Sequence, residues 1–330
     1  MTDLKLSFAC WDYDRTRPLF DGRVRIEGAD INHLRIPVEQ SLFRMIRYRE
    51  FDISEMSLSG YAMSLFSENP PFMAIPVFLS REFRHSFIFI NADSGIEEPT
   101  DLIGKRVGTP EYEMTAGVWI RGILEEKYGV PVNSVQYFTG GQEQPGREEK
   151  TKLDLPLDIQ IQKIGKNQTL SAMLENGEID AIYAARAPSC FTRGSKKVRR
   201  LFPDHREVEK QYYKDTGIFP IMHLVLLKRE VYEANRWLAH SLYLGLLRAK
   251  QIAYDDLADT ASLRVMLPWL TDEYQETCKL MGQDYWAYGV EPNHKTLSTL
   301  LHYSYLQGLS KRELKPEELF APETAKVSLI

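Results

Sequence analysis

Short apolar runs alternate with stretches of helical periodicity along this chain, the pattern of an α/β fold. Leu4, Leu6 and Phe8 alternate with polar positions and predict a first strand over 4–10. A second strand is expected near 31–36, a helix near 39–48, and a third strand over 51–56 that ends in SLSG (57–60) and a helix. HSFIFIN (85–91) reads as a buried strand and, at a change of character, as the first crossing between two lobes. Gly104 and Pro110 bracket a strand at 106–108. A helix follows over 114–128, with Ala116, Ile120, Ile123, Leu124 and Tyr128 on its buried face and Gly129 as its stop signal. Residues 139–158 form a polar loop long enough to be a functional insertion. Then come a strand near 159–164, a helix at 169–176 and a strand at 181–184. GSKKVRRLF (194–202) reads as a solvated loop entering a strand. GIFPIMHLVLLK (217–228) is the expected second crossing. Helices are expected over 229–257, 260–267, 271–281 and 293–308, with Leu238, Leu242, Gly245, Leu246 and Ala249 on one apolar face. The expectation is a first lobe of 1–88 and 222–330, with the helical tail packed on it, a second lobe of 89–221, and a ligand cleft between the lobes.

Composition narrows the class. Of the 330 residues, 43% are hydrophobic and 26% charged, as in an ordinary soluble globular enzyme. The net charge of −5 argues against a nucleic-acid partner, which calls for a basic face. Cys10, Cys190 and Cys278 are isolated, so a disulfide framework is not expected, which fits a reducing compartment. Neither zinc-type Cys/His spacing nor HExxH occurs. The opening MTDLKLSFAC lacks a basic segment, an apolar stretch and a small-residue cleavage site, and no run approaches the ~18 apolar residues of a membrane span. The expectation is a cytoplasmic protein without membrane contact. A homo-oligomer is expected only on the general habit of such enzymes.

The segments CWDYDRTRPLFDGRV (10–24), REFDISEMSLSGY (49–61), AIPVFLSREFRHSFIFIN (74–91), GKRVGTPEYEMTAGVWIRGIL (104–124), TGGQEQPGREEK (139–150), ENGEIDAIYAARAPSCF (175–191), TGIFPIMH (216–223) and EELFAP (317–322) together resemble the 4,5-dihydroxyphthalate decarboxylase family. They cover nearly the whole chain in order. The resemblance implies a two-lobed α/β architecture, the type II periplasmic-binding-protein-like fold put to catalytic use. It implies a small aromatic dicarboxylate as substrate, non-oxidative loss of one carboxylate to give 3,4-dihydroxybenzoate, and no nicotinamide or pyridoxal cofactor. A solute receptor for an aromatic acid is the alternative on the same fold. Metal assistance through His85, His223 and acidic neighbours stays open, although their spacing forms no metal motif.

Aromatic decarboxylation needs its carboxylates held, a proton delivered to the ring carbon that loses CO2, and a base near the phenol. Arg15 and Arg17 follow the first strand, at the end where α/β sheets open toward ligands, and a guanidinium fork matches a carboxylate. Asp12, Asp14 and Asp21 beside them offer plain ion pairs instead. Ser57 and Ser59 can receive an anion at a helix start or simply cap the helix. Arg84 and His85 cluster before the first crossing; a histidine there suits proton transfer or a structural hydrogen bond. Thr109, Glu111, Tyr112 and Thr115 lie between a strand and a helix, with Glu111 as an acid, a base or a partner of the helix dipole. Arg147 sits in the polar insertion, a candidate lid. Arg186 and Ser189 follow the strand at 181–184 and are the carboxylate-binding candidates of the second lobe. His223, after the GIFP turn, is the second proton-transfer candidate. Cys190 reads as a small buried thiol.

Overall fold

The protein is described here from a computed structural model covering residues 3–156 and 158–325. Its strands are β1 (Leu4–Cys10), β2 (Ala29–Arg35), β3 (Ile53–Ser57), β4 (Phe72–Arg81), β5 (Ile88–Asn91), β6 (Arg106–Thr109), β7 (Gln136–Thr139), β8 (Ile161–Lys163), β9 (Ala181–Tyr183), β10 (Val198–Arg200) and β11 (Ile221–Lys228). They form two mixed sheets, ordered β2-β1-β3-β11-β4 and β10-β5-β9-β6-β7-β8. The chain divides into two compact units. One holds Met1–Arg81, Ile221–Leu297 and Lys315–Ile330; the other holds Glu82–Pro220 and Ser298–Leu314.

In the first unit β1 pairs in parallel with β2 and β3, while β11 runs antiparallel between β3 and β4. Phe8, Ile53, Met56, Leu224 and Leu226 are fully enclosed, so β3 lies at the centre of an apolar sheet. β4 escapes the sequence reading because Pro76 interrupts it. A proline costs a ladder hydrogen bond, and β4 tolerates it as the edge strand of its sheet.

In the second unit β9, β6, β7 and β8 run in parallel, and β5 joins β9 antiparallel. The helix Thr115–Tyr128 is buried all round from Thr115 to Leu124 and ends at Gly129 in the left-handed region (φ 68°), the stop the sequence supplies. A Cβ on Gly122 of this helix would lie 2.1 Å from the Tyr303 ring, so the glycine permits a close approach. Gln307 donates to the Val118 carbonyl and accepts from Arg121 Nε at 2.8 Å. These contacts draw Ser298–Leu314 into the second unit, whereas the sequence reading assigns all of 222–330 to the first lobe.

Three further differences have physical causes. The helix expected over 229–257 is two, Arg229–Ala234 and Trp237–Ala258, parted where Asn235 leaves helical geometry (φ −144°, ψ 59°). The helix expected over 260–267 is an irregular connector; Pro268 disfavours helical geometry just before it, and the next helix starts at Leu270. The helix His205–Thr216 is not foreseen from the sequence, because it buries only Glu209, Tyr212 and Thr216 and so carries little apolar periodicity. Among the described residues no helix is long and apolar enough to cross a membrane.

Candidate active site

In the first unit, chemistry gathers around a carboxylate placed where the strand pattern calls for an apolar residue. Glu55 sits in the middle of the central strand β3 and is wholly enclosed. β11 brings His223 beside it: Val225 lies opposite Glu55, so His223, two residues away, shares that face. His223 Nδ1 meets Glu55 Oε1 at 2.7 Å, the Tyr13 hydroxyl donates to Oε1 at 2.6 Å, and the Trp11 N–H donates to Oε2 at 3.2 Å. Burial alone would push the Glu55 pKa up, but the His223 contact, the Tyr13 hydroxyl and the Trp11 N–H more than offset it and carry it below its ordinary value. Burial, together with the Glu55 charge, moves the Tyr13 phenol the other way, well above its usual range. An ionised Glu55 can only accept, so Nδ1 of His223 carries a hydrogen, and in the uncharged form of the ring the lone pair lies on Nε2. The His223 side chain is 18% exposed, while its partner carboxylate is sealed.

Arg15 lies alongside. Its guanidinium is flanked by the rings of Tyr13 (4.1 Å) and Trp286 (4.3 Å), and it donates to the Leu79 carbonyl and to Asp14. Those bonds hold its position and occupy much of its fork. Arg17 forms the surface pair that its neighbours offer: it bonds Asp12 at 2.8 Å, and Arg35 meets the same carboxylate at 2.5 Å. Ser57 caps the helix Leu58–Ser64, its Oγ accepting from the Gly60 N–H at 3.4 Å, and Ser59 is buried in the first turn.

The second unit carries a separate polar cluster at the carboxyl end of β6. Glu111 is buried and bridges Arg147, at 2.7 Å, and Lys150, both from the polar insertion. Thr109 donates to the Glu111 carbonyl. Tyr112 is fully enclosed, with the Arg121 guanidinium 3.9 Å from its ring centroid and its N–H on Glu149 Oε1 at 2.9 Å. Thr115 is buried at the helix start. Glu149 differs from its neighbours. Burial pushes its pKa up to about 7; Glu113 and Glu111 add to the shift, while the Tyr112 N–H and Arg121 oppose it. Ser189 donates its N–H to Glu143 Oε1 at 3.0 Å, so an internal carboxylate already meets that turn. Arg186 is exposed, and its carbonyl accepts from Gln142.

His85 and Arg84 lie elsewhere in the second unit. The His85 ring is packed against Tyr128, Phe202 and Tyr212 at centroid distances of 5.9, 5.2 and 5.2 Å, and neither nitrogen has a hydrogen-bond partner among the described residues. Burial pulls its pKa down to about 4. Burial also pulls Arg84 down to about 10, against the charges of Glu82 and Glu209. Cys190 is enclosed and burial raises its thiol pKa, in keeping with a packing role. Among the described residues no group of three His, Cys, Asp or Glu side chains is arranged to hold a metal ion.

The sequence reading singles out His223 and Glu111 but passes over Glu55, Tyr13 and Glu149, which the fold gathers beside them. The sign of Glu55 is visible: a carboxylate inside the apolar strand FDISEM sits on a position that the strand period turns inward. Nothing local marks Glu149, whose burial comes from its pairing with the distant Tyr112.

These features define an α/β protein of the type II periplasmic-binding-protein-like class. Two solved structures share the fold: the alkanesulfonate-binding protein SsuA from Xanthomonas axonopodis pv. citri, at 12% identity over 98% of each chain with a TM-score of 0.52, and a putative periplasmic sulfonate-binding protein SsuA from Methylobacillus flagellatus, at 12% identity over 98% of this chain and 93% of that one, also with a TM-score of 0.52. No family model matches the chain. Two curated proteins named 4,5-dihydroxyphthalate decarboxylase are similar in sequence. The one from Comamonas testosteroni is 41% identical over 322 residues, 98% of each chain. The one from Pseudomonas putida is 44% identical over 214 residues, 65% of this chain and 83% of its own length. The chain belongs to the 4,5-dihydroxyphthalate decarboxylase family, a family of carboxy-lyases.

Proposed function

We propose that this protein removes one carboxylate from 4,5-dihydroxyphthalate without a cofactor, giving 3,4-dihydroxybenzoate and CO2, in the cytoplasm and as a step of phthalate breakdown. The observation that carries the reading is the 41% identity to the Comamonas testosteroni decarboxylase over 98% of both chains. Similarity to the sulfonate-binding proteins supports the fold and carries no argument for a receptor role.

The chemistry follows from the substrate. The departing carboxylate stands para to a hydroxyl. Loss of that phenolic proton to His223 Nε2 sends an electron pair into the ring, and the ring carbon bearing the carboxylate takes up a proton from water, the one proton the overall reaction consumes. The C–C bond then breaks, its electron pair restores aromaticity, and CO2 leaves. The imidazolium returns its proton to the phenolate oxygen. By driving protonation of the ring, the para-hydroxyl turns the ring itself into the electron sink that other decarboxylations draw from a cofactor. Glu55 stabilises the imidazolium as it forms and holds the ring in the tautomer that can accept. Glu111, shared between two cations, is suited to fixing the insertion rather than to giving up a proton. Arg15 remains the proposed carboxylate contact beside His223.

The test is incubation of purified, metal-stripped protein with 4,5-dihydroxyphthalate, with chromatography for 3,4-dihydroxybenzoate. Product at a catalytic rate is expected. Absence of product, with or without added metal, alongside calorimetric binding of the compound would replace the enzyme reading with a receptor.

A further inference from the structure

The polar side chains just after β1 are committed within the chain. Asp12 holds Arg17 and Arg35, Tyr13 donates to Glu55, Asp14 holds Arg15, and Thr16 donates to the Tyr13 carbonyl. Trp11 alone in this run presents a large side chain with no such commitment. It is 41% exposed, and among the described residues its indole makes no hydrogen bond and no ring contact.

Isolated exposed hydrophobic residues are ordinary on protein surfaces. Trp11 is set apart by how its backbone is held. Its N–H donates to Glu55 Oε2 at 3.2 Å, and its carbonyl accepts from the Tyr13 N–H at 3.1 Å. The carboxylate that orients His223 therefore also anchors the backbone of Trp11. The other tryptophans have different surroundings. Trp119 is enclosed, Trp286 donates its N–H to the Phe78 carbonyl and lies against Arg15, and Trp237 covers Gly28. Trp269 lies just before the helix Leu270–Met281.

We infer that Trp11 is the aromatic platform of the site, the residue that recognises its ligand as a flat ring. The ligand class is a planar hydroxylated benzene carboxylate, and its identity as 4,5-dihydroxyphthalate rests on the decarboxylase reading above. Such a ligand carries its charges and hydroxyls around the rim, where a guanidinium and an imidazole can meet them in the plane. Its faces are apolar and need a partner of the same shape. An indole supplies a large π-surface with few rotatable bonds to freeze, and it favours rings over aliphatic groups of equal charge. Trp11 thus sets specificity for an aromatic ring, while His223 moves the proton.

The experiment compares wild type, Trp11→Ala and Trp11→Phe in steady-state turnover of 4,5-dihydroxyphthalate. Inhibition by cyclohexane-1,2-dicarboxylate, which has the two carboxylates but no aromatic face, is measured in parallel, as is quenching of tryptophan emission by each compound. Trp11→Ala is expected to raise KM by about tenfold, with kcat changed far less. Trp11→Phe, which keeps a ring face, is expected to recover most of the affinity and to lose the quenching that the aromatic ligand causes in wild type. The inhibition constant of the cyclohexane compound is expected to move less than about twofold in either variant. A KM for Trp11→Ala within about twofold of wild type overturns the proposal. Equal weakening of both ligands also overturns it, since a distorted pocket would act on both alike. Should wild type form no product yet show Trp11-dependent quenching by the aromatic acid, the platform stands and the decarboxylase reading falls. Should wild type turn over normally without any Trp11 effect, the platform falls and the decarboxylase reading stands.

Discussion

Glu55 Oε1 meets Nδ1 of His223 at 2.7 Å, across two adjacent strands and inside an apolar sheet. A buried carboxylate is costly unless its oxygens are bonded, and here three donors satisfy it. The arrangement fixes one imidazole tautomer and places a negative charge where an imidazolium would form. A buried carboxylate bonded in this way is weak support for stability. Its value lies in orienting a base.

Replacing Glu55 by Gln keeps the shape and an acceptor oxygen but removes the charge. The expected result is a fall in kcat on the order of a hundredfold or more, with KM changed by only a few-fold. His223→Ala should abolish turnover while leaving substrate binding measurable by calorimetry. Stopped-assay kinetics on both variants, beside circular dichroism to verify folding, decide the matter. Near-normal kcat in both would remove the pair from the mechanism.

His85 leads to a different expectation, on stability rather than turnover. Its folded-state pKa lies near 4 because burial among three aromatic rings disfavours the charged ring, against an ordinary value of 6.5. The folded form therefore binds its proton less readily than the unfolded form. Above about pH 6.5 both forms are neutral here and nothing is lost. As pH falls from 6.5 toward 4, the unfolded chain takes up the proton first, and stability drops by about 3 kcal/mol by pH 4. His85→Leu removes the titrating group and two unsatisfied nitrogens. In denaturant melts between pH 4 and 8, the stability difference between variant and wild type should shift in the variant's favour as pH falls from about 6.5 to 4. Parallel curves for variant and wild type would refute the assignment.

Most strands of the two sheets and most of the helices are legible in the sequence because burial periodicity is local: Leu4–Cys10 and Thr115–Tyr128 reveal their inward positions within one element. His223 is also legible, since histidines are few and this one follows a turn into a core strand. What escapes depends on partners far away in the chain. Glu55 matters because β11 returns 168 residues later to bring His223 beside it. Tyr303 and Gln307 join the second unit because Gly122 leaves room and Arg121 needs an acceptor. His85 shows the converse: a promising residue type read from local sequence, enclosed by rings that only the fold assembles.

Glu149 should bend the stability curve in the sense opposite to His85. Its folded-state pKa is raised to about 7 from an ordinary 4.5, chiefly by burial, with Glu113 and Glu111 adding to it. Below about pH 4.5 both folded and unfolded forms are protonated here. Between 4.5 and 7 the unfolded chain releases its proton first, so stability falls as pH rises and levels off above 7, a loss on the order of 2–3 kcal/mol. The windows of His85 and Glu149 overlap, so in wild type the two slopes partly cancel and the curve looks flat. Each single variant exposes the other group. Glu149→Gln is uncharged throughout and keeps an oxygen for the Tyr112 N–H. It is expected to be more stable than wild type at pH 8, to converge with it near pH 4, and to leave the acid loss of His85 in full view. The check is the free energy of unfolding from urea melts at pH 4, 6 and 8. A Glu149→Gln variant less stable than wild type at pH 8, with the deficit shrinking toward pH 4, would mean that the carboxyl is held ionised by its surroundings, and that the cluster around Glu111 favours charge rather than excluding it.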